Sequence, residues 1–235
     1  MLNSRRRWLK RVGALAALTS GGLSGLIRDA LANGNAPVSP GIHKLTGEVR
    51  VNGKPAQAGM LVHEGDTVST GKGAEVIYVI GKDAYLQRES TAVNFASEAT
   101  KQVLRIITGK ILSVFGKGTP RSIKVSTATI GIRGTGCYIE DEPAPVDAGR
   151  TASGKSRTYF CLCYGSVELE PSAAPAERVS YSTSHHDHPL FIHDDMTMPT
   201  MMVPAGVMNH TDAELTLLEA LVGRRPPFFG QDGKY

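Results

Sequence analysis

Three cysteines are the residues of this chain whose type and spacing most clearly suggest chemistry. Cys161 and Cys163 lie two positions apart in an apolar run that predicts a β-strand, and the two-residue period of a strand places both sulfurs on one face. Cys137 lies in the strand predicted before that run. If the two strands form an antiparallel hairpin centred near Gly149, Cys137 falls opposite the pair and the three thiols converge.

Two interpretations of these thiols remain open at the level of sequence. One is a disulfide between Cys137 and either Cys161 or Cys163, which an oxidising compartment favours but which leaves one odd thiol. The other is a metal site in which all three thiolates are ligands.

A histidine run downstream supplies the fourth ligand in the second interpretation. His186 is the expected ligand, and His185 and His188 are alternates. Zinc is the usual ion for mixed thiolate and imidazole ligands, copper gains weight from nearby thioethers, and iron is a third candidate. The thioethers are those of Met196, Met198, Met201, Met202 and Met208. The alternative for this run is an exposed polar loop that binds metal only adventitiously.

Catalytic motifs are missing from the sequence. There is no Gly-x-Ser-x-Gly elbow, no phosphate-binding loop before a helix, and no close pair of carboxylates in an apolar setting. We therefore expect a protein that is not an enzyme and has no catalytic residues.

The elements that would position the thiols are short strands. Between residues 44 and 170, β-branched and aromatic runs alternate with glycine-containing turns such as Asn52-Gly53 and Gly71-Lys72-Gly73. This spacing predicts an all-β fold, either a twisted β-sandwich or a solenoid-like stack of short strands.

Glycines surround one arginine in the most unusual of these runs. Gly131 and Gly134 flank Arg133 between two β-branched segments, so the backbone can pass where a side chain would collide. A guanidinium buried at such a crossing needs acceptors, and we interpret Arg133 as a structural clamp onto carbonyls or a carboxylate. An anion-binding arginine is the alternative.

The C-terminal part contains the only convincing helix of the mature chain. Thr211 and Glu214 form a capping-box pattern, an apolar stripe follows, and Gly223 predicts the end of a helix over residues 211–223. We expect a His/Met-rich loop segment at 171–210 before the helix and a tail at 224–235 after it.

The first 32 residues resemble a twin-arginine export signal. Arg5 and Arg6 begin the basic motif, a glycine-diluted apolar segment follows, and the small residues Ala30 and Ala32 on either side of Leu31 predict cleavage after Ala32. The apolar segment is shorter than the ~20 residues that a bilayer span needs, so we expect no lasting membrane span. Residues 33–43 are a predicted linker, and the mature protein is expected in the periplasm.

The charge distribution excludes a nucleic-acid partner. The first 32 residues carry six basic side chains and one acidic one, a net +5, whereas the whole chain carries +4. The mature part therefore has a net charge of −1 and lacks the basic surface that nucleic-acid binding requires.

Four motifs together resemble the FecR-type periplasmic domain over about residues 44–170. They are Gly131-Ile132-Arg133-Gly134-Thr135, the upstream segments 47–53 and 59–75, and the closing segment 164–169. The resemblance implies an exported module that binds, signals or serves as a scaffold in the cell envelope, with a periplasmic or outer-membrane protein or a cell-wall component as partner. It implies nothing about the cysteines, so a periplasmic metal-binding or redox protein remains the alternative function.

Overall fold

The computed structural model describes residues 36–98, 101–118, 120–145 and 155–231. The expected export signal, with Arg5, Arg6 and the cleavage site at Ala32, lies outside the described residues.

Strands make up most of the described chain. In chain order they are β1 (Gly41–Thr46), β2 (Val49–Val51), β3 (Lys54–Pro55), β4 (Thr67–Thr70), β5 (Glu75–Ile80), β6 (Asp83–Gln87), β7 (Ala92–Glu98), β8 (Lys101–Val114), β9 (Arg121–Lys124), β10 (Ala128–Glu142), β11 (Arg157–Pro171), β12 (Val179–Thr183), β13 (Leu190–His193) and β14 (Met202–Pro204). One α-helix, α1 (Asp212–Leu221), and one 3₁₀ turn (Pro175–Glu177) complete the described elements. The prediction of an all-β fold with one C-terminal helix is confirmed.

Three long strands hold the sheet together because each changes partners along its length. The first part of β8 pairs with β7 and, in parallel, with β9, while its second part pairs with β6 and β10. The start of β11 pairs with β13 and its end with β12. On its other edge β11 pairs with β10, which takes part in this pairing along nearly its whole length. The sheet is open, with β14 and β3 at the two ends of its longest path.

The alternating side chains of these strands form two apolar cores. One core lies under β1, β2, β4 and β7 and contains residues such as Val68, Tyr85 and Ile139. The second core lies between the sheet and α1. We call it the helix-side core; its members include Leu86, Leu112, Tyr138, Cys161, Cys163, Leu215, Leu218 and Phe228.

The helix begins at the predicted capping box. The Thr211 hydroxyl accepts from the Glu214 amide at 3.3 Å, and the Glu214 carboxylate accepts from the Thr211 amide at 3.0 Å. Leu215, Leu217 and Leu218 are fully buried against the sheet. The helix thus closes one face of the sheet, as an amphipathic stripe requires.

One detail differs from the prediction. The segment 171–210 is not a continuous loop, because β12, β13 and β14 lie within it and add to the edge of β11. These strands are only three to five residues long, which leaves little periodicity for a sequence pattern to show. No helix in the described ranges is both long and apolar enough to cross a bilayer.

Candidate metal centre

Two cysteines and two histidines converge beneath the start of the C-terminal helix. One donor atom from each of Cys161, Cys163, His186 and His210 lies within 4.8 Å of all the others. The two cysteines are 0% exposed, His186 is 2% exposed and His210 is 5% exposed. A four-residue set of thiols and imidazoles at this spacing is the composition of a closed structural metal site.

The cysteines are placed by the two-residue period of β11. Both face the helix-side core, while Leu162 between them faces the other core. The Cys163 carbonyl accepts from the backbone N–H of His186 at 3.0 Å, which ties the following turn to the strand. The alternation that the sequence predicted for this pair is therefore what brings two sulfurs to one site.

His186 is held by a strained turn between β12 and β13. Its φ of +54° lies in the left-handed region, which a residue with a side chain occupies at a cost of about 1–3 kcal/mol. The Thr183 hydroxyl and the Asp187 carboxylate cap this turn by hydrogen bonds to each other and to its backbone. The capped turn thus places the His186 imidazole beside the Cys161 sulfur.

His210 is held by the turn that leads into α1. Its ring stacks on Tyr138 with centroids 4.6 Å apart, and its Nδ1 donates to the Met208 carbonyl at 2.7 Å. The preceding Asn209 also has a positive φ, +59°, and its side-chain amide donates to Glu140 at 2.7 Å. Since a carbonyl can only accept, Nδ1 carries the proton and Nε2 presents its lone pair to the site.

Asp212 orients the other imidazole. His186 Nε2 lies 3.1 Å from an Asp212 carboxylate oxygen, and the second carboxylate oxygen lies 2.9 Å from His185 Nε2. Asp212 is the first residue of α1, where the positive end of the helix dipole stabilises a carboxylate. A carboxylate that accepts from the distal nitrogen of a metal-binding histidine is the usual support of such a ligand.

These two supports leave two nitrogen lone pairs facing each other. His186 Nδ1 lies 3.1 Å from His210 Nε2 and 3.4 Å from the Cys161 sulfur. When both imidazoles are neutral, neither facing nitrogen carries a proton, so only a cation between them relieves the repulsion. A zinc tetrahedron with Zn–S of about 2.3 Å and Zn–N of about 2.0 Å has donor–donor edges of about 3.3–3.8 Å, close to the spacing observed.

Without a metal ion, a proton is the remaining cation. The hydrogen bond from Cys163 lowers the pKa of Cys161, and His186 and His210 lower it further against the opposing effect of burial. Burial alone lowers the pKa of His186, but its contacts with Cys161 and Asp212 outweigh burial and raise it. The cluster therefore favours a thiolate beside an imidazolium, and a metal ion that binds there would displace the imidazolium proton and keep the thiolate as a ligand.

The prediction that Cys137 joins this cluster is wrong. In the β10–β11 hairpin Cys137 pairs with Leu162, and Tyr138 pairs with Cys161. Paired residues share a face, so Cys137 lies in the opposite core and Cys161 points away from it. The predicted disulfide from Cys137 to Cys161 or Cys163 is excluded for the same reason, and all three cysteines are free.

Of the predicted histidines, only His186 lies in the cluster with the two cysteines, while His185 lies in a neighbouring group with His186 and Asp212. His185 contacts Asp212 and stacks on Phe228 with centroids 4.4 Å apart, and His188 is exposed. His210 was missed, although its place immediately before the predicted capping box fixes it at the start of a docked helix. The methionines differ in their surroundings. Met201 is buried, Met196 is exposed, and Met208 accepts a hydrogen bond from His210 through its backbone carbonyl.

Cys161, His186 and Asp212 also have the order of contacts found in a cysteine nucleophile with its base and orienting acid. The Cys161 sulfur lies 3.4 Å from His186 Nδ1, and His186 Nε2 lies 3.1 Å from the Asp212 carboxylate. The sulfur is 0% exposed and is covered by α1, so the carbon of a substrate cannot approach it. Nucleophilic catalysis also requires an accessible thiolate.

Arg133 is not the structural clamp that the sequence suggested. Its side chain is exposed and lines an open groove of about 670 Å³ together with Gly131 and Gly134. The clamp is Arg121, which forms a buried ion pair with Asp83 at 2.8 Å and donates to the Gly116 carbonyl at 3.0 Å. Outward-facing positions of β10 alternate with the buried Ile130 and Ile132, and Arg133 falls in the outward series.

Comparisons with known proteins were made for sequence and for fold. No family model matches the sequence, and no curated protein matches it. Two crystal structures of a proposed anti-sigma factor from Parabacteroides distasonis are partly similar, with TM-scores of 0.44 and 0.45 and 10% sequence identity. Each match covers 60% of this chain and 59% of the other, so the chain spans less than two thirds of that protein. The FecR-type resemblance therefore remains a prediction from sequence motifs.

Proposed function

We propose that this chain is an exported, non-enzymatic β-protein of the cell envelope that holds one metal ion in a closed Cys₂His₂ centre. The ligands are Cys161, Cys163, His186 and His210. The FecR-type motifs support the envelope part of the proposal, and the site geometry supports the metal.

One observation carries the metal assignment. The two imidazoles are oriented by Asp212 and by the Met208 carbonyl so that His186 Nδ1 and His210 Nε2 face each other 3.1 Å apart, beside two buried sulfurs. A proton shared within this cluster joins only two donor atoms at a time, whereas a metal ion binds all four.

Zinc fits this donor set better than copper or iron. Tetrahedral sites with two sulfurs and two nitrogens are typical of zinc, whereas copper(I) selects thioethers and thiolates, and no methionine sulfur is needed to complete the set. Because the protein supplies all four ligands and buries them, no position remains for water or substrate. The centre is therefore structural.

Elemental analysis combined with thiol counting tests the proposal. We expect protein purified without chelator to contain about one zinc per chain and three thiols that react after denaturation. Cys161→Ser should lose the stoichiometric metal, whereas the matched control Cys137→Ser should keep it because its sulfur lies in the opposite core. Stoichiometric metal in neither protein, even after a zinc titration, would overturn the proposal.

A second candidate function rests on the groove around Arg133. Lys117 and Arg133 line it and are exposed, while Arg178 in its wall is already paired with Glu168 and Glu170. We propose that this groove binds a carboxylate-bearing group of an envelope partner. Arg133→Gln should weaken salt-sensitive binding to an envelope extract without loss of zinc, and unchanged binding would exclude the groove.

A further inference from the structure

We infer that the metal centre is a latch that fastens the C-terminal helix to the sheet, so that the start of α1 leaves the sheet only when the ion leaves the site. This inference rests on the proposed metal centre and adds to it a conformational role. We call residues 205–214 the latch segment.

The ligands come from both sides of a joint between the sheet and the latch segment. Cys161 and Cys163 belong to β11, and His186 belongs to a turn tied to the same strand by its backbone N–H. His210 belongs to the latch segment. An ion bound to all four therefore cross-links the helix start to the sheet, and the helix start cannot move away while the coordination is complete.

Asp212 makes a second connection at the same joint. It lies in the first turn of α1 and accepts from His186, a ligand on the sheet side. The imidazole of His186 is thus held between the ion and the helix. Movement of α1 disturbs two of the four ligands, His210 directly and His186 through Asp212.

The helix is too short to be stable when it is detached. It has ten residues, and isolated helices of fewer than ~12–15 residues are marginal in water. Its last turn has anchors of its own: the Glu219 carboxylate accepts from Tyr164 and pairs with Arg224, and Phe228 packs on Tyr164. The latch segment is tied at its start by hydrogen bonds from the Ala205 amide to the Pro189 carbonyl and from the Tyr159 hydroxyl to the Gly206 carbonyl. Nearer the helix it has the centre, with the polar contacts Arg88–Glu214 and Asn209–Glu140 beside it.

Loss of the ion leaves the latch segment as the part that can yield. A proton then takes the place of the ion, so that one hydrogen bond from His186 to His210 replaces the coordination of four ligands, and His186 is fixed by its strained turn and by the Cys163 carbonyl. His210 can withdraw with residues 208–212, which opens the helix-side core at Tyr138. The proposed centre thus lies at the start of α1, a helix that is too short to be stable when it is detached.

Hydrogen exchange at defined free zinc concentrations tests the latch on the full chain. If opening of the latch segment requires release of the ion, protection of amides 208–215 rises in proportion to free zinc, by about 100-fold at 100 times the dissociation constant. Strand amides that exchange by local openings away from the site, as in β2 and β4, should not respond. His210→Ala should make the helix amides insensitive to zinc, whereas His188→Ala should behave like the parent protein.

The outcomes separate the latch from the metal centre. Stoichiometric zinc with zinc-independent exchange at 208–215 overturns the latch and leaves the centre intact. Protection of these amides equal to that of the most protected strands, with the same zinc dependence, also overturns it, because helix and sheet would then open as one unit. Failure to bind zinc at all overturns both proposals.

Discussion

At the scale of single residues, Asp212 offers a direct test of how the centre is supported. Asp212→Asn keeps the side-chain shape but weakens the acceptor for His186 Nε2, which should lower zinc affinity by about 10–100-fold. Competition with a chromophoric chelator measures this change. The control Asp195→Asn, at a carboxylate outside the cluster that pairs with Lys155, should leave affinity unchanged, and equal effects of the two substitutions would contradict a role in orienting the ligand.

A second prediction at this scale concerns Arg121, whose ion pair with Asp83 is buried. Arg121→Met leaves the buried Asp83 carboxylate without its ion-pair partner and should lower the free energy of unfolding by about 3–5 kcal/mol. Arg133→Met should change it by less than about 0.5 kcal/mol because that side chain is exposed. Urea denaturation of both variants measures the difference, and a larger effect at Arg133 would restore the clamp that the sequence suggested.

At the scale of elements, the sequence predicted the strands well and the hairpin register poorly. The strand containing Cys161 and Cys163 could be recognised from its alternation, but alternation within one strand does not fix its register against β10. A register one residue away from that centred on Gly149 moves Cys137 to the other face of the sheet. The capping box at Thr211 was predictable because it is local, whereas the approach of His210 to His186 depends on how the helix docks.

Irregularities in the β10–β11 pair give the element-scale prediction. The register shifts on either side of Gly136, and across the hairpin Gly165 has φ +99°. A Cβ there would lie 2.7 Å from the Gly134 carbonyl oxygen. Gly165→Ala should therefore cost about 1–3 kcal/mol or more in thermal or urea unfolding. Gly206→Ala, where a Cβ meets nothing within 4 Å, should be close to neutral, and similar stability of the two variants would show that the bulge tolerates a side chain.

At the scale of the whole molecule, the all-β architecture follows from composition and turn spacing, but the coupling between its parts does not. The strands β12, β13 and β14 are too short to be recognised from a sequence pattern, yet the turn between β12 and β13 carries His186, one of the four residues of the proposed centre. The proposed centre would join that turn, the strand β11 and the start of the helix, three segments that local sequence patterns treat separately.

Removal of the ion should lower the stability of the folded chain as a whole. An ion that binds the folded state alone stabilises it by about 2.7 kcal/mol when its free concentration is 100 times the dissociation constant. For a chain of this size that corresponds to a rise in Tm of about 5–10 °C. Calorimetry of zinc-loaded and chelator-treated protein measures the shift, and Cys161→Ser should show none while Cys137→Ser shows the full value. Because the four ligands approach one another only in the folded chain, a Tm independent of zinc would mean that the donors do not form a site together, whatever their spacing.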